Sequence, residues 1–349
     1  MRRDRMHCEG RMRRLRVAVA VLAATTAASP AIAEATSVPS SRARTAQAQQ
    51  PGTPFAGSYS SASGTRSYRG YVPSTYTRGK AMPLVVVLHG CLESADSIRR
   101  LTRFDQLAEA KGFIVVFPEQ AWSANPMRCW NFFLDSQMHR GTGEPALIEG
   151  ITERIRQSYS VDPRRIYAVG FSSGGAMASV LGATYPDVFA AIAVASGCEY
   201  AATATCAGWR SADPAGAARA AYAEMGPRAR PLPVMAVQGD FDFIVPPVNA
   251  DQLITQWRLT ADLADDGANN GSVPAAPSAT VRRQVPGGRA YTVREYADGR
   301  GGQLMQYWTV HGMGHLWSGG CSCAWFADPR GPDAAAGMYD FLIGHPLPS

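Results

Sequence analysis

The sequence predicts an α/β protein, with a mostly parallel central sheet carrying helices on both faces. Three observations predict it. Short apolar, β-branched runs bounded by turn residues (PLVVVL at 83–88, FIVVF at 113–117, RIYAV at 165–169) read as strands buried on both sides. Stretches with helical spacing alternate with them, which is the pattern of helices crossing between parallel strands. The composition is globular, 46% hydrophobic and 18% charged over 349 residues, and excludes wholesale disorder. In such a sheet, chemistry gathers outside the carboxyl ends of the strands. The segments just after residues 88, 170, 237 and 310 are therefore where functional side chains are expected.

In chain order, Arg13, Arg14 and Arg16 precede an uncharged apolar run at 17–28 and then Ala31-Ile32-Ala33. Residues 1–33 are thus expected to be a secretory signal peptide, cut after Ala33. The run is too short to span a membrane, for which about 20 apolar residues are needed. Residues 34–56, rich in Ala, Ser, Thr, Gln and Pro without apolar period, read as a disordered leader. Residues 57–349 read as one catalytic domain. Within it, 66–73 suits an edge strand and 83–88 the first buried strand. A helix is expected over 97–112, stopping at Gly112, and a buried strand over 113–117. Residues 144–159 carry Leu147, Ile151 and Ile155 on one helical face. Strand 165–169, helix 174–185 and strands 189–195 and 232–237 follow, then a helix over 249–263. A polar loop at 264–278 leads to strands near 279–285, 290–296 and 303–310, and a final helix near 332–343.

The formal charge of +6 comes largely from residues 1–33, where seven Arg face Asp4 and Glu9. The rest of the chain holds 27 basic and 26 acidic groups. A nearly neutral protein offers no electrostatic reason for a nucleic-acid or anionic-membrane partner. Apart from Cys8 there are six cysteines, an even number that suits disulfides in a secreted chain. Cys198 and Cys206 are close enough for a local clip. Cys321 and Cys323 form a C-x-C; a bridge across one residue is expected to be strained, so they are expected to pair elsewhere. No second ligand pair stands at zinc spacing, so no metal is expected.

The strand ending at Val169 runs into Gly170-Phe171-Ser172-Ser173-Gly174-Gly175. This is G-x-S-x-G between a strand and a helix, where a serine sits on a tight turn and flanking glycines let the backbones approach. Ser172 is the expected nucleophile, and Ser173 is expected to offer its backbone N–H to an oxyanion. A second donor is expected from His89-Gly90-Cys91 after the first buried strand, and the Cys91 N–H is the candidate. His89 precedes the nucleophile and is expected to orient this loop beside the substrate. After strand 232–237, Asp240 and Asp242 compete as the acid that holds an imidazole. After the last strand, His315 stands between Gly314 and Leu316-Trp317, while His311 follows the strand directly and is expected to be structural. The order serine, acid, histidine is that of the α/β-hydrolase fold. Such a triad needs no metal or cofactor, and no P-loop or dinucleotide fingerprint occurs.

Residues 120–141 form an irregular, aromatic-rich stretch after a strand. Trp122, Trp130, Phe132 and Phe133 are expected to wall the site, with Trp317 beside His315. Cys129, next to Trp130, is expected to bridge to Cys91 and stiffen the oxyanion loop.

The segments LVVVLHGC (84–91), FPEQAWSANPMRCWNFF (117–133), RGTGEPALIEGI (140–151), VDPRRIYAVGFSSGGAMA (161–178), HGMGHLWSGG (311–320) and DPRGPDA (328–334) resemble the polyhydroxybutyrate depolymerase family of esterases, which shades into feruloyl and acetylxylan esterases. The resemblance runs over about 60–343. It implies an α/β-hydrolase fold and a secreted serine esterase. The family's acid motif maps onto Asp242, with Gln238 where the family often has His. Its nucleophile maps onto Ser172, its base onto His315 and its oxyanion loop onto His89-Gly90-Cys91. Cys321 and Cys323 depart from the family and bear on the pocket beside Trp317. The resemblance implies hydrolysis of a polyester such as poly(3-hydroxybutyrate), with removal of feruloyl or acetyl groups from plant polysaccharide as the alternative. No binding module follows the catalytic region, an expectation that favours soluble or amorphous esters. A non-catalytic binding protein on the same scaffold predicts a broken triad.

Overall fold

The structure is a computed structural model that describes residues 52–202, 206 and 213–348. The expected signal peptide and all but the end of the expected leader lie outside the described residues. The elements in chain order are β1 (Thr53–Ser61), β2 (Gly64–Val72), β3 (Met82–Leu88), α1 (Ala95–Thr102), α2 (Phe104–Lys111), β4 (Ile114–Glu119), α3 (Gly143–Ser158), β5 (Val161–Phe171), α4 (Ser173–Thr184), β6 (Ala191–Ala195) and α5 (Pro214–Met225). They continue as β7 (Val234–Gly239), α6 (Val248–Asp266), β8 (Ala279–Gln284), β9 (Ala290–Ala297), β10 (Gln303–Val310), the two-residue strands β11 (Trp317–Ser318) and β12 (Ala327–Asp328), and α7 (Ala334–Ile343).

Ten strands form one sheet in the order β1-β2-β4-β3-β5-β6-β7-β10-β9-β8. The six central strands, β4 to β10 in that order, are mutually parallel. The outer pairs on either side are antiparallel. Period-two alternation splits the buried strands between two cores. Leu84, Val86 and Leu88 face one side with Ile148 and Ile151 of α3, Met177 and Leu181 of α4, and Leu253 and Trp257 of α6. Val85 and Val87 face the other with Ile98 and Leu101 of α1, Phe104 of α2, and Met338 and Leu342 of α7. Strands apolar on both faces demand helices on both faces, which is the expected layering.

Several elements differ from the sequence expectation. β1 begins at Thr53, inside the expected leader, and pairs with β2 over its whole length, so β2 is not an edge strand. Its half-exposed alternation made it look like leader. The helix expected over 97–112 is two. Ser94 caps α1 by accepting from Ser97 N–H, but Arg103 takes a left-handed φ of 55° and starts α2. The Arg103 guanidinium donates to Gly319 O at 2.7 Å, and this tertiary anchor accompanies the break. α5 was not expected because its alanine-rich sequence has no apolar stripe; it buries only Ala218, Ala221 and Met225.

Two buried carboxylates lie off the sheet. Glu144, in the first turn of α3, pairs with Arg66 Nη2 at 3.2 Å and accepts Asn131 N–H at 2.7 Å and Asn131 Nδ2 at 2.7 Å. It thereby ties the stretch 120–141 to β2. Glu199 follows β6. Both its oxygens are buried and have no hydrogen-bond partner among the described residues, and burial pushes its carboxyl up to about 7.

Two outcomes are expected. Glu144→Ala strands the Arg66 guanidinium in the interior and should lower unfolding free energy by about 3–5 kcal/mol in urea titration; an unchanged midpoint contradicts this. Glu199 has a folded-state value above its ordinary 4.5. Its contribution to stability is therefore full below pH 4.5 and lost as pH rises through about 7. Glu199→Gln should remove this loss, on the order of 2–3 kcal/mol, when melting is followed from acid to alkaline pH. Parallel melting curves for both proteins contradict it.

Candidate active site

All the motif residues emerge at the carboxyl ends of the central parallel strands. β5 turns into α4 at Ser172, which takes φ 55° and ψ −121°, a region costly for any side chain. The turn closes only because its flanks have no Cβ. A Cβ on Gly170 would lie 2.0 Å from Gly174 O, and one on Gly174 would lie 2.3 Å from Leu88 O. Ser172 N–H donates to Ala195 O at 2.9 Å, which stitches the turn to the end of β6.

Ser172 Oγ lies 3.0 Å from His315 Nε2, and His315 Nδ1 lies 2.8 Å from Asp242 Oδ2. The His315 side chain is 7% exposed and that of Asp242 fully buried. The Phe171 ring stacks on the imidazole at 5.0 Å. Burial alone would raise the Asp242 carboxyl. The hydrogen bond and charge of His315, with the Val245 and Ile244 N–H groups, outweigh it and hold the carboxyl below its ordinary value. Gln238 Nε2 also donates to Asp242 Oδ2 at 3.0 Å and to Val245 O at 3.0 Å. The amide thus orients the acid.

The competing candidates form a separate pair. Asp240 Oδ2 lies 2.8 Å from His311 Nδ1, and His311 Nε2 lies 2.8 Å from Thr292 Oγ1. Asp240 Oδ1 also accepts Gly312 N–H at 2.6 Å. This exposed pair clasps the loop after β7 to the loop after β10, and holds both loops at the mouth of the triad.

Among the described residues, neither the Cys91 nor the Ser173 backbone N–H has an internal hydrogen-bond acceptor. The position of a Cβ on Gly90 would lie 3.2 Å from Ser172 Cβ, so the loop after β3 abuts the nucleophile. Cys91 is bonded to Cys129, and Leu92 N–H donates to Met127 O at 2.7 Å. Both contacts fasten this loop to the stretch after β4. Cys198 is bonded to Cys206.

Cys321 and Cys323 are bonded to each other, contrary to expectation. A turn in which Ala324 N–H donates to Cys321 O brings their Cα atoms to 5.1 Å, within the reach of a disulfide.

Trp130 and Trp317, expected to wall the site, are buried, and His89, expected to orient the oxyanion loop beside substrate, braces that loop from within the core. His89 is fully buried, its Nε2 accepting Gln120 N–H at 3.0 Å and its Nδ1 facing Gly90 O at 2.7 Å. Burial pushes it down to about 4, so it is a neutral brace for the loop. Trp130 is fully buried, with Nε1 donating to His89 O at 3.1 Å. Trp317 is buried against Phe104 and Phe171, the ring that stacks on His315. Their large apolar area is better buried in the core than left at a mouth. Trp122 is exposed, Phe133 partly so, and Phe132 is half-buried on Ala176, Cys198 and Val245.

The sequence reading missed other residues at this edge. Leu92, Met127, Phe241, Ile244 and Trp325 are exposed apolar side chains on the same strand-end loops. A pocket of about 280 Å³ beside the oxyanion loop is lined by Leu92, Glu93, Arg100, Trp325 and Phe326. A cavity of about 820 Å³ lies between β10 and α7 and touches none of Ser172, Asp242 or His315. Among the described residues no group of three His, Cys, Asp or Glu is placed to hold a metal.

Comparison with known proteins gives the family and the fold. Residues 66–273 match the family described as Esterase PHB depolymerase. The chain is 30% identical over 243 residues to poly(3-hydroxyalkanoate) depolymerase C of Paucimonas lemoignei, covering 67% of this chain and 54% of that protein. It is 31% identical over 215 residues to probable acetylxylan esterase A of Aspergillus fumigatus, covering 57% and 56%. The chain thus spans about half the length of the curated relatives it matches. The acetyl xylan esterase of Aspergillus awamori superposes with a TM-score of 0.62 at 23% identity, over 75% of this chain and 94% of that one, which shows a shared α/β-hydrolase fold. The match spans more than half of the sequence and includes the Ser172 elbow, so the chain belongs to the PHB depolymerase family of esterases.

Proposed function

We propose that the chain is a carboxylic ester hydrolase that works through an acyl-enzyme on Ser172. The observation that carries this is the unbroken hydrogen-bond chain from Ser172 through His315 to Asp242. His315 Nε2 takes the Ser172 proton as Oγ attacks the ester carbonyl, and Asp242 stabilises the imidazolium. The Cys91 and Ser173 N–H groups receive the oxyanion. Collapse expels the alcohol, which takes the proton from His315. Water, deprotonated by His315, then attacks the acyl-enzyme and releases acid and Ser172. A buried Asp242, held charged, keeps His315 in the tautomer this sequence needs. An intact chain weighs against a purely binding role.

For substrate we favour a polyester of hydroxyalkanoate type. The exposed Leu92, Trp122, Met127, Phe241, Ile244 and Trp325 surround the site on several loops and suit an apolar polymer surface. The relative named as a poly(3-hydroxyalkanoate) depolymerase supports it. The relative named as an acetylxylan esterase supports the second reading, deacylation of plant polysaccharide. Secretion fits the apolar leader with its A-x-A site and the disulfides.

Release of 3-hydroxybutyrate from amorphous poly(3-hydroxybutyrate), faster than acetate from acetylated xylan or ferulate from its methyl ester, is the expected result. The opposite ranking selects the second reading. Ser172→Ala should abolish turnover of p-nitrophenyl butyrate and labelling by a fluorophosphonate. Asp242→Asn should lower kcat by about 10³–10⁴-fold, and Asp240→Asn by less than about tenfold. The reverse ranking of the two aspartates overturns the assignment of the acid.

A further inference from the structure

The chain after β3 doubles back through Gly90, Cys91, Leu92 and Glu93. Glu93 is 5% exposed, and its Oε2 accepts Gly90 N–H at 2.8 Å. The position a Gly90 Cβ would take lies 3.1 Å from Glu93 Oε2 and 3.2 Å from Ser172 Cβ. Carboxyl and nucleophile therefore both flank Gly90, and a side chain there would crowd each of them. Gly90 is held at both ends, its N–H by Glu93 and its carbonyl by His89. The next N–H along the chain is that of Cys91, the oxyanion donor. From this arrangement we propose that Glu93 is a positioning residue of the oxyanion loop, whose carboxyl sets the Gly90–Cys91 peptide and whose negative charge, when present, opposes the oxyanion. The proposal rests on the ester-hydrolase reading and adds to it a control of rate by pH.

Electrostatics supports the geometry. Burial pushes the Glu93 carboxyl up to about 7, against the pull of the Gly90 N–H. The charged and titratable groups around it are few. Arg100 of α1 lines the same pocket but extends into solvent. Glu119, at the end of β4, is committed to Arg128 at 2.6 Å and to Ala95 N–H. His89 is held neutral by burial. His315 lies across Ser172, bonded to Asp242. Glu93 is thus protonated in mild acid and becomes charged as pH rises through neutrality. A carboxylate beside the oxyanion site raises the barrier to addition, because like charges repel.

The test is the pH dependence of kcat and KM for p-nitrophenyl butyrate, from about pH 5.5 to 9.5. The wild type should show a descending limb, with kcat falling about tenfold as Glu93 ionises. Glu93→Gln keeps an acceptor for Gly90 N–H and cannot ionise, so it should lose the fall. Glu93→Ala removes the acceptor and should lower kcat about 10–100-fold at every pH, with KM changed less than about threefold. A wild type without a descending limb, a limb that persists in Glu93→Gln, or an Ala variant with wild-type kcat each overturns the role of Glu93 alone. Should Ala simply fail to fold, the Gln profile decides. Inactivity of the wild type toward every ester, or full activity of Ser172→Ala, overturns the hydrolase reading and this role with it.

Discussion

The backbone of β5 and α4 approaches so closely at the Gly170–Gly174 turn that only hydrogen atoms fit, and the rest of the site depends on that approach. Steric closeness at two positions lets Ser172 hold a φ of 55° that its own side chain disfavours. The strain is sustained by the surroundings: β5 is clamped between β3 and β6, and Ser172 N–H is bonded to Ala195 O. α4 is buried along its whole length, so its small residues serve packing as well as the turn. The helix then begins directly behind the serine and leaves the Ser173 N–H free to face a reacting carbonyl.

Around this turn the molecule sorts its ionisable groups by burial. Asp242 is buried yet charged, because an imidazole, two peptide N–H groups and the Gln238 amide compensate it. Asp240, two residues earlier, is exposed and spends its hydrogen bonds clasping two loops. Glu93 and Glu199 are buried with little or no compensation and move the opposite way. One chemical group, the carboxyl, therefore serves as orienting acid, loop clasp and pH-sensitive group according to the donors around it. His89 completes the pattern as a neutral strut that is inaccessible to substrate.

Much of this was legible in the residues. The buried strands announce themselves by β-branched runs, and the strand-end rule directs attention to the four segments that carry Cys91, Ser172, Asp242 and His315. G-x-S-x-G is readable because its glycines are demanded by local geometry. Other features were not readable, because long-range contacts decide them. β1 has a weak alternation and exists through its pairing with β2. The helical period at 97–112 runs through Arg103 unbroken, yet a bond to Gly319 O, 216 residues away, accompanies two separate helices. Trp130 and Trp317 look the same in sequence as Trp122, and only packing tells that two of them are core.

By itself the sequence determined the alternation of strand and helix, the nucleophile turn and the order of serine, acid and histidine, since each is written in neighbouring residues with fixed steric or chemical needs. The tertiary structure alone decided that Asp240 pairs with His311 instead, that Cys321 joins Cys323, and which aromatic rings reach solvent. Those choices turn on a few ångströms between segments far apart in the chain, and distance of that kind has no signature in the order of the residues.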